Sequence, residues 1–552
     1  MNRKFLLVFR GWCAAAAAVL GFVASGEAAP SAATRDVRPN IVVVLCDDLG
    51  YGDVQANFPQ GLIRTPHMDR LAREGVRFTD AYSPSGLCTP TRYGLMTGRY
   101  AWRTRLQSGV VGGLSPRLIE EGRPTVASFL QARGYRTAVI GKWHLGLNWE
   151  RLPGKAITEL GVETPDQVWN VDYSRPFDGG PTTLGFDRFF GISASLDMVP
   201  YTYLENDRVV ALPTEERTWP MHPGYVFDCR LGPAAPGFEV ADVLPELTRQ
   251  AERFIEDESR RGGPFFLYLP LPSPHTPLAP TAEWKGRSGL NLYADFVMQT
   301  DAAIGQLLAS LERSGVADNT LFILTSDNGC APQARIHDLK AKGHDVSGGL
   351  RGNKADLYDG GVRVPFLARW PDRARPAESG QLVCLTDLFA TFAELVDADV
   401  PAHAAEDSFS FASALLSRPG VPTRPVRDAV VLHSAFGSFA IREGEWKLAL
   451  CAGSGGWSTP VNFDAEAAGL PMTQLYHIGG ADRGERTNLQ AEQPERVQRL
   501  EVRLREIVAA GRSTPGPRAS NAVEVALRKP SLPSQRGRAP SPPVAAPSGA
   551  RD

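Results

Sequence analysis

Pro39-Asn40-Ile41-Val42-Val43-Val44-Leu45-Cys46 runs directly into Asp47-Asp48-Leu49-Gly50-Tyr51-Gly52-Asp53. The first half is a continuous apolar run rich in β-branched residues, the pattern of a strand buried on both faces in a parallel sheet. The second half places two adjacent carboxylates where that strand ends. In open α/β sheets, ligands collect beyond the carboxyl ends of the strands. Adjacent acids repel each other unless donors or a cation satisfy them, and hard divalent ions want this kind of oxygen cluster. A solvated acidic turn is the plainer alternative.

The same design returns along the chain. Arg136-Thr137-Ala138-Val139-Ile140 reads as a strand and is followed by Gly141-Lys142-Trp143-His144-Leu145-Gly146. Lys142 and His144, two residues apart, suggest an anion binder and a proton carrier. The apolar run 264–270 leads into Ser273-Pro274-His275-Thr276-Pro277, where the prolines hold His275 on a stiff loop. Thr320-Leu321-Phe322-Ile323-Leu324-Thr325 ends in Ser326-Asp327-Asn328-Gly329. Asp47, Asp48, Asp327 and Asn328 together would offer one divalent cation a set of hard oxygens. Lys354 lies among glycines in 350–365, where a solvated loop lysine is the alternative.

Cys88-Thr89-Pro90-Thr91-Arg92 places a thiol at a helix start. Pro90 suits the first helical position and Thr89 the cap. Arg92 follows Cys88 by about one turn, so both can reach one anion. The helix is expected to stop near Gly98.

Between these segments, 125–134, 243–255 and 291–313 read as helices, the last with Leu292, Phe296, Ile304, Leu307, Leu308 and Leu311 along one side. Residues 148–245 are less regular and rich in proline, glycine and aromatics, a covering or specificity-shaping insertion. Toward the end, 438–450 reads as a hairpin, Leu475-Tyr476-His477 as a short strand and 494–510 as an amphipathic helix, together a small α+β subdomain.

The chain has 552 residues and a formal charge of -2, which gives no support to nucleic-acid binding. Arg3, Lys4 and Arg10, an apolar run from Trp12 to Val23 and the small residues to Ala29 read as a secretory signal, the run being short for a comfortable membrane anchor, with an uncleaved anchor as the alternative. A periplasmic or secreted address is expected. The seven cysteines show no zinc or paired spacing, leaving room for one disulfide but not a disulfide scaffold. The expected organisation is a signal peptide at 1–29, a catalytic domain at 36–425, a C-terminal subdomain at 426–512 and a disordered tail at 513–552.

The Cys-x-Pro-x-Arg motif at Cys88, taken with 39–53, 141–146, His275 and 326–329 followed by Lys354, resembles the type I sulfatases over about 38–488. The resemblance implies an α/β alkaline-phosphatase-like sandwich with a mostly parallel central sheet and a small C-terminal antiparallel subdomain. It implies conversion of Cys88 to Cα-formylglycine by a formylglycine-generating enzyme or a radical maturase. Asp47, Asp48, Asp327 and Asn328, with modified Cys88, would bind one calcium ion. Arg92 would hold the formylglycine hydrate, and Lys142 and Lys354 would clamp sulfate. His275 would serve the leaving group, and His144 would act as the base that collapses a sulfated covalent intermediate. The implied reaction is hydrolysis of sulfate monoesters of carbohydrates, glycosaminoglycan or other polysaccharide fragments, with 6-O-sulfated N-acetylgalactosamine or galactose as the candidate. A phosphate or phosphonate monoester hydrolase and a non-catalytic calcium-dependent glycan binder are the alternatives. Cys46 stands where the family favours a small residue; it is expected in the core, with oxidation or heavy-metal sensitivity from its place beside the metal.

Overall fold

The alternation in Ile41-Val42-Val43-Val44-Leu45-Cys46 resolves into two buried faces. Ile41, Val43 and Leu45 join one apolar cluster with Tyr93, Met96 and Phe129, while Val42, Val44 and Cys46 join another with Leu49, Met68 and Leu71. A strand with no solvent face needs cover on both sides, and helices supply it. The computed structural model describes residues 38–222, 228–417, 424–480 and 482–531. The expected signal segment lies outside them.

Among the described residues the central sheet has ten strands. Their spatial order is Ala377–Ser379, Val76–Phe78, Phe366–Arg369, Thr320–Ser326, Asn40–Cys46, Phe265–Pro270, Arg136–Lys142, Arg188–Ile192, Leu204–Glu205 and Arg208–Val209. The five strands from Thr320–Ser326 to Arg188–Ile192 run parallel, with antiparallel pairings at both flanks. Arg188–Ile192 falls inside the stretch read as irregular. Its aromatic pair Phe189-Phe190 was the available signal, but glycine at 191 obscured it. That glycine is required: a Cβ there would sit 1.8 Å from the Gly141 carbonyl of the neighbouring strand.

The helices follow the sequence with shifted ends. Val126–Gln131 is capped by the Thr125 hydroxyl, which accepts from the Ser128 amide. Val243–Arg261 extends beyond its expected end, and Leu292–Arg313 lies next to it. The helix that carries the thiol spans Cys88–Thr97, so it begins two residues before Pro90. Thr89 does not cap it; its hydroxyl accepts from the Val111 amide at 3.4 Å. Gly98, at φ 64°, ends the helix as expected.

The C-terminal sheet, Ala429–His433, Phe439–Glu443, Trp446–Ala449 and Gln474–His477, is antiparallel throughout. Leu500, Leu504 and Val508 of the helix Pro494–Ala510 share a cluster with Val430, Ile441 and Leu448 of the sheet and Tyr82, Tyr100 and Trp102 from the earlier chain.

Residues 513–531 depart from the expected disordered tail. Ser513 and Thr514 donate from their amides to the Glu406 carbonyl, Ala522 to that of Arg103, and Leu527 is buried in the C-terminal cluster. Their polar composition hid this because the segment is held by hydrogen bonds and ion pairs rather than by a core of its own. Residues 532–552 lie outside the description. The six described cysteines are free and buried, so none forms the disulfide that their number allowed.

The anchor for this strap is the fully buried pair Arg103–Asp407, at 2.8 Å, to which Ser513 and Asn521 add hydrogen bonds. Asp407→Ala leaves a buried guanidinium without its carboxylate. It should destabilise the protein by about 3–5 kcal/mol, whereas replacing both partners with apolar residues of similar size should recover much of the loss. Urea unfolding of the single and double variants checks this.

Candidate active site

Parallel strands in register bring their carboxyl ends to one edge. Cys46 is paired with Ser326, Leu45 with Pro270 and Lys142 with Ile192. The residues that follow therefore emerge side by side. Asp47, Asp48 and His275 each offer a ligand atom, and these atoms lie within 4.8 Å of one another. Asp48 also accepts from Asn328 Nδ2 at 2.6 Å, and its amide donates to Asp327 Oδ1 at 3.3 Å.

Three cations meet these acids. Lys142 Nζ is 2.5 Å from Asp47 Oδ2, and Lys354 Nζ is 2.7 Å from Asp48 Oδ1. Arg92, fully buried, donates to Asp327 Oδ2 through Nη2 at 2.8 Å and to the Lys142 carbonyl through Nη1 at 3.0 Å. Burial favours the neutral form of Asp47, yet Lys142, His275 and Arg92 outweigh it and hold this carboxyl well below its ordinary range. Burial and the adjacent Asp47 charge push Asp327 up to about 7. Asp47 Oδ1 and Asn328 Oδ1 are buried oxygens without a hydrogen-bond partner.

Cys88 stands at the start of its helix, 3 % exposed. Burial pushes its thiol up, against the pull of Lys142 and Lys354. His144 is fully buried, and its Nε2 lies 2.9 Å from the Val111 carbonyl, an obligate acceptor. That nitrogen must carry the proton, which leaves a lone pair on Nδ1, an atom without a partner. Burial, with Lys142 and Arg92 adding to it, drives His144 well below the ordinary histidine range. His275 Nδ1 is 2.5 Å from the Thr276 carbonyl, so Nε2, 3.6 Å from Asp48, is its available atom.

Three non-glycine residues at this edge adopt positive φ: Asp48 at 65°, His144 at 56° and Ala355, next to Lys354, at 83°. Such backbone costs of order 1–3 kcal/mol per residue and clusters where surrounding structure enforces it. Here the strain aims the ends of the strands and the Lys354 loop at a common point.

Two groups went unrecognised in the sequence. Asp197, within the insertion, pairs with Arg230 at 2.6 Å and has a buried Oδ1 without a partner. Burial would raise it, but Arg230, His275 and Lys142 hold it below the ordinary carboxylate range, which places it in the field of the site. Behind Asp48, Tyr293 donates to Asp53, and Asp53 also accepts from His344 at 2.8 Å. Asp53 was visible in the opening acidic stretch, whereas Tyr293 sits in an ordinary amphipathic helix. Cys46 is fully buried, and burial and Asp327 push its thiol up. Its place in the core is as expected, and its burial disfavours the thiolate through which oxidants would act.

Residues 39–398 match the family model described as Sulfatase, more than half of the chain. The chain belongs to the sulfatase family. It is 31% identical over 504 residues to N-acetylgalactosamine-6-O-sulfatase of Bacteroides thetaiotaomicron, covering 85% of this chain and 93% of that one. Human arylsulfatase A is 32% identical over 420 residues, 74% of each chain. A solved sulfatase structure from Bacteroides thetaiotaomicron glycosaminoglycan metabolism superposes with a TM-score of 0.73 at 30% identity, covering 85% of this chain and 99% of that one. This sulfatase is thus a sulfuric ester hydrolase with the alkaline-phosphatase-like architecture.

The depressed His144 gives a prediction with a definite sign. Its folded pKa lies below the unfolded value near 6.5, so unfolding takes up a proton once the pH falls below that value. Stability should decline from about pH 6.5 downward, with His144 contributing up to about 1.4 kcal/mol per pH unit. In His144→Asn the slope between pH 7 and 5 should be shallower by up to one proton, measured by urea unfolding at each pH.

Proposed function

We propose that this sulfatase hydrolyses sulfate monoesters of carbohydrates, with 6-O-sulfated N-acetylgalactosamine or galactose as the substrate class. The observation that carries the reading is the meeting of Cys88, Arg92, Lys142, Lys354, His144 and His275 with a carboxylate cluster at one sheet edge. The relative named N-acetylgalactosamine-6-O-sulfatase, matched over nearly its full length, supports the sugar.

The acidic residues fit one hard cation such as calcium. Asp47 Oδ1 and Asn328 Oδ1 are unpartnered oxygens of the type it prefers, and Asp48 and Asp327 complete the donor set. When bound, such an ion polarises sulfate oxygens and lowers the cost of an oxygen nucleophile. The position of Cys88 at the start of its helix, in the field of Lys142 and Lys354, supports its conversion to Cα-formylglycine, whose hydrate supplies two hydroxyls on one carbon.

The chain's own residues do the rest. Asp47, Asp48 and Asp327 balance Arg92, Lys142 and Lys354 in formal charge, so a divalent ion leaves a positive surplus that a sulfate ester meets. Lys142 and Lys354 hold the sulfate oxygens and stabilise the charge that shifts among them. His144 accepts a proton at Nδ1 from a hydroxyl at position 88. His275 acts through Nε2 on the leaving oxygen. Asp197 Oδ1, rigidly held by Arg230, accepts from a sugar hydroxyl. Because Cys88 is buried, its maturation enzyme must meet the chain before folding closes over it. The secretory pattern of residues 3–29 supports maturation and work in a periplasmic or secreted setting.

Protein co-produced with a maturation enzyme should yield a Cys88 peptide lighter by about 18 Da, the change from thiol to aldehyde. That protein should cleave aryl sulfate faster than aryl phosphate, release sulfate from 6-O-sulfated N-acetylgalactosamine, and lose activity to a calcium chelator. Calcium should raise the melting temperature, since a ligand that binds only the folded state stabilises it. Lys142→Ala should lower kcat/KM by about 10²–10³. Full activity with an unmodified Cys88 would sink this mechanism, and faster phosphate cleavage would reverse the substrate reading.

A further inference from the structure

A small apolar cluster lies apart from the main core. Leu87, Ala355 and Ala435 are buried together, and Val110 and Trp457 pack against them with part of their surface open. Each of three members adjoins a working residue in the chain. Leu87 precedes Cys88, Ala355 follows Lys354, and Val110 precedes Val111, whose carbonyl holds His144. The exposed part of this patch is therefore an indole and an isopropyl group beside the reacting edge.

Trp457 is held there from both sides. Its amide and that of Ser458 donate to Asp356 Oδ1 at 2.9 and 3.1 Å. Asn353 donates to Ser458 Oγ at 2.9 Å, and the Leu357 amide to the Ser454 carbonyl at 2.8 Å. Gly456 permits the approach, since a Cβ there would lie 2.3 Å from the Ala355 carbonyl. The loop is thus fastened to the segment that carries Lys354.

The other described tryptophans with exposed surface already have partners for their rings. Trp169 meets Tyr173, Trp284 meets Arg287, and Trp446 meets His477 and Arg496. Among the described residues no ring or guanidinium is paired with Trp457 in this way.

We propose that Trp457, with Val110 beside it, is a stacking platform for the pyranose ring of the sulfated sugar. This rests on the carbohydrate reading above. A pyranose presents a face of C–H groups, and the negative face of an indole attracts them while both shed water. Lysines and a cation recognise the sulfate but say nothing about what carries it; an apolar platform supplies the missing contact to the ring. Ligand sites combine these two kinds of group in the same way.

The test compares matured wild type, Trp457→Ala and Trp457→Phe, with equal formylglycine content by mass, on 6-O-sulfated N-acetylgalactosamine. The alanine variant should show a KM about tenfold higher with kcat little changed, the signature of lost binding shared by ground and transition states. Phenylalanine should recover most of the difference. In wild type, the sugar should protect Trp457 from an indole-specific reagent, read by peptide mass. An unchanged KM in Trp457→Ala, a phenylalanine variant no better than alanine, or labelling unaffected by the sugar overturns the proposal. Failure of the underlying reading looks different: wild type then cleaves aryl sulfate but no sulfated sugar.

Discussion

Charges of both signs are buried at one edge of the sheet, and the surrounding structure is shaped by keeping them paired. Removing a carboxylate or ammonium group from water costs several kcal/mol after relaxation, and the penalty is offset only by close partners. Lys142 meets Asp47, Lys354 meets Asp48 and Arg92 meets Asp327, each within 2.9 Å. None of the six is near another in sequence except the two aspartates. The pairing therefore depends on five segments arriving together; parallel strand register delivers Asp47, Asp48, Lys142 and Asp327, while a helix brings Arg92 and a loop brings Lys354.

The C-terminal subdomain is part of this arrangement. Asp359, at the start of the short helix Asp359–Val362 that follows the Lys354 loop, accepts from Lys447 at 2.8 Å and from Tyr82, while its amide donates to Glu485 at 2.6 Å. Lys447 also reaches Glu485 at 2.8 Å. The antiparallel sheet thus grips the Lys354 loop through a buried ionic node, and the loop that bears Trp457 grips it through Asp356. The division expected at 425 and 426 separates the central sheet from the antiparallel one, yet the segment that carries Lys354 is fastened from beyond it. Ala355, at φ 83°, directly precedes the first of these attachments.

Some of this was legible in the chain. Strands buried on both faces announce themselves because period-two alternation disappears when both faces are apolar. Polar residues after such a run mark the working edge, which is how Asp47, Lys142, His275 and Asp327 came to notice. Arg188–Ile192 escaped because a required glycine interrupts its pattern, and the cap at Thr89 was misread because its hydroxyl is claimed by Val111, far along the chain. Asp197 and Tyr293 carry no local pattern at all. The segment 513–531 reads as coil and is ordered nonetheless, since its partners, Arg103, Glu406 and Asp407, lie a hundred or more residues away.

The sequence by itself determined most of the element types, the parallel character of the sheet centre and the chemical groups offered at the candidate site, because these depend on near-neighbour periodicity and on side-chain chemistry. Only the tertiary structure decided which acid pairs with which base, which nitrogen of His144 keeps its lone pair, and which tryptophan is left with an open face. Those outcomes depend on distances between residues remote in the chain, and desolvation acts on them only after the fold has brought them together.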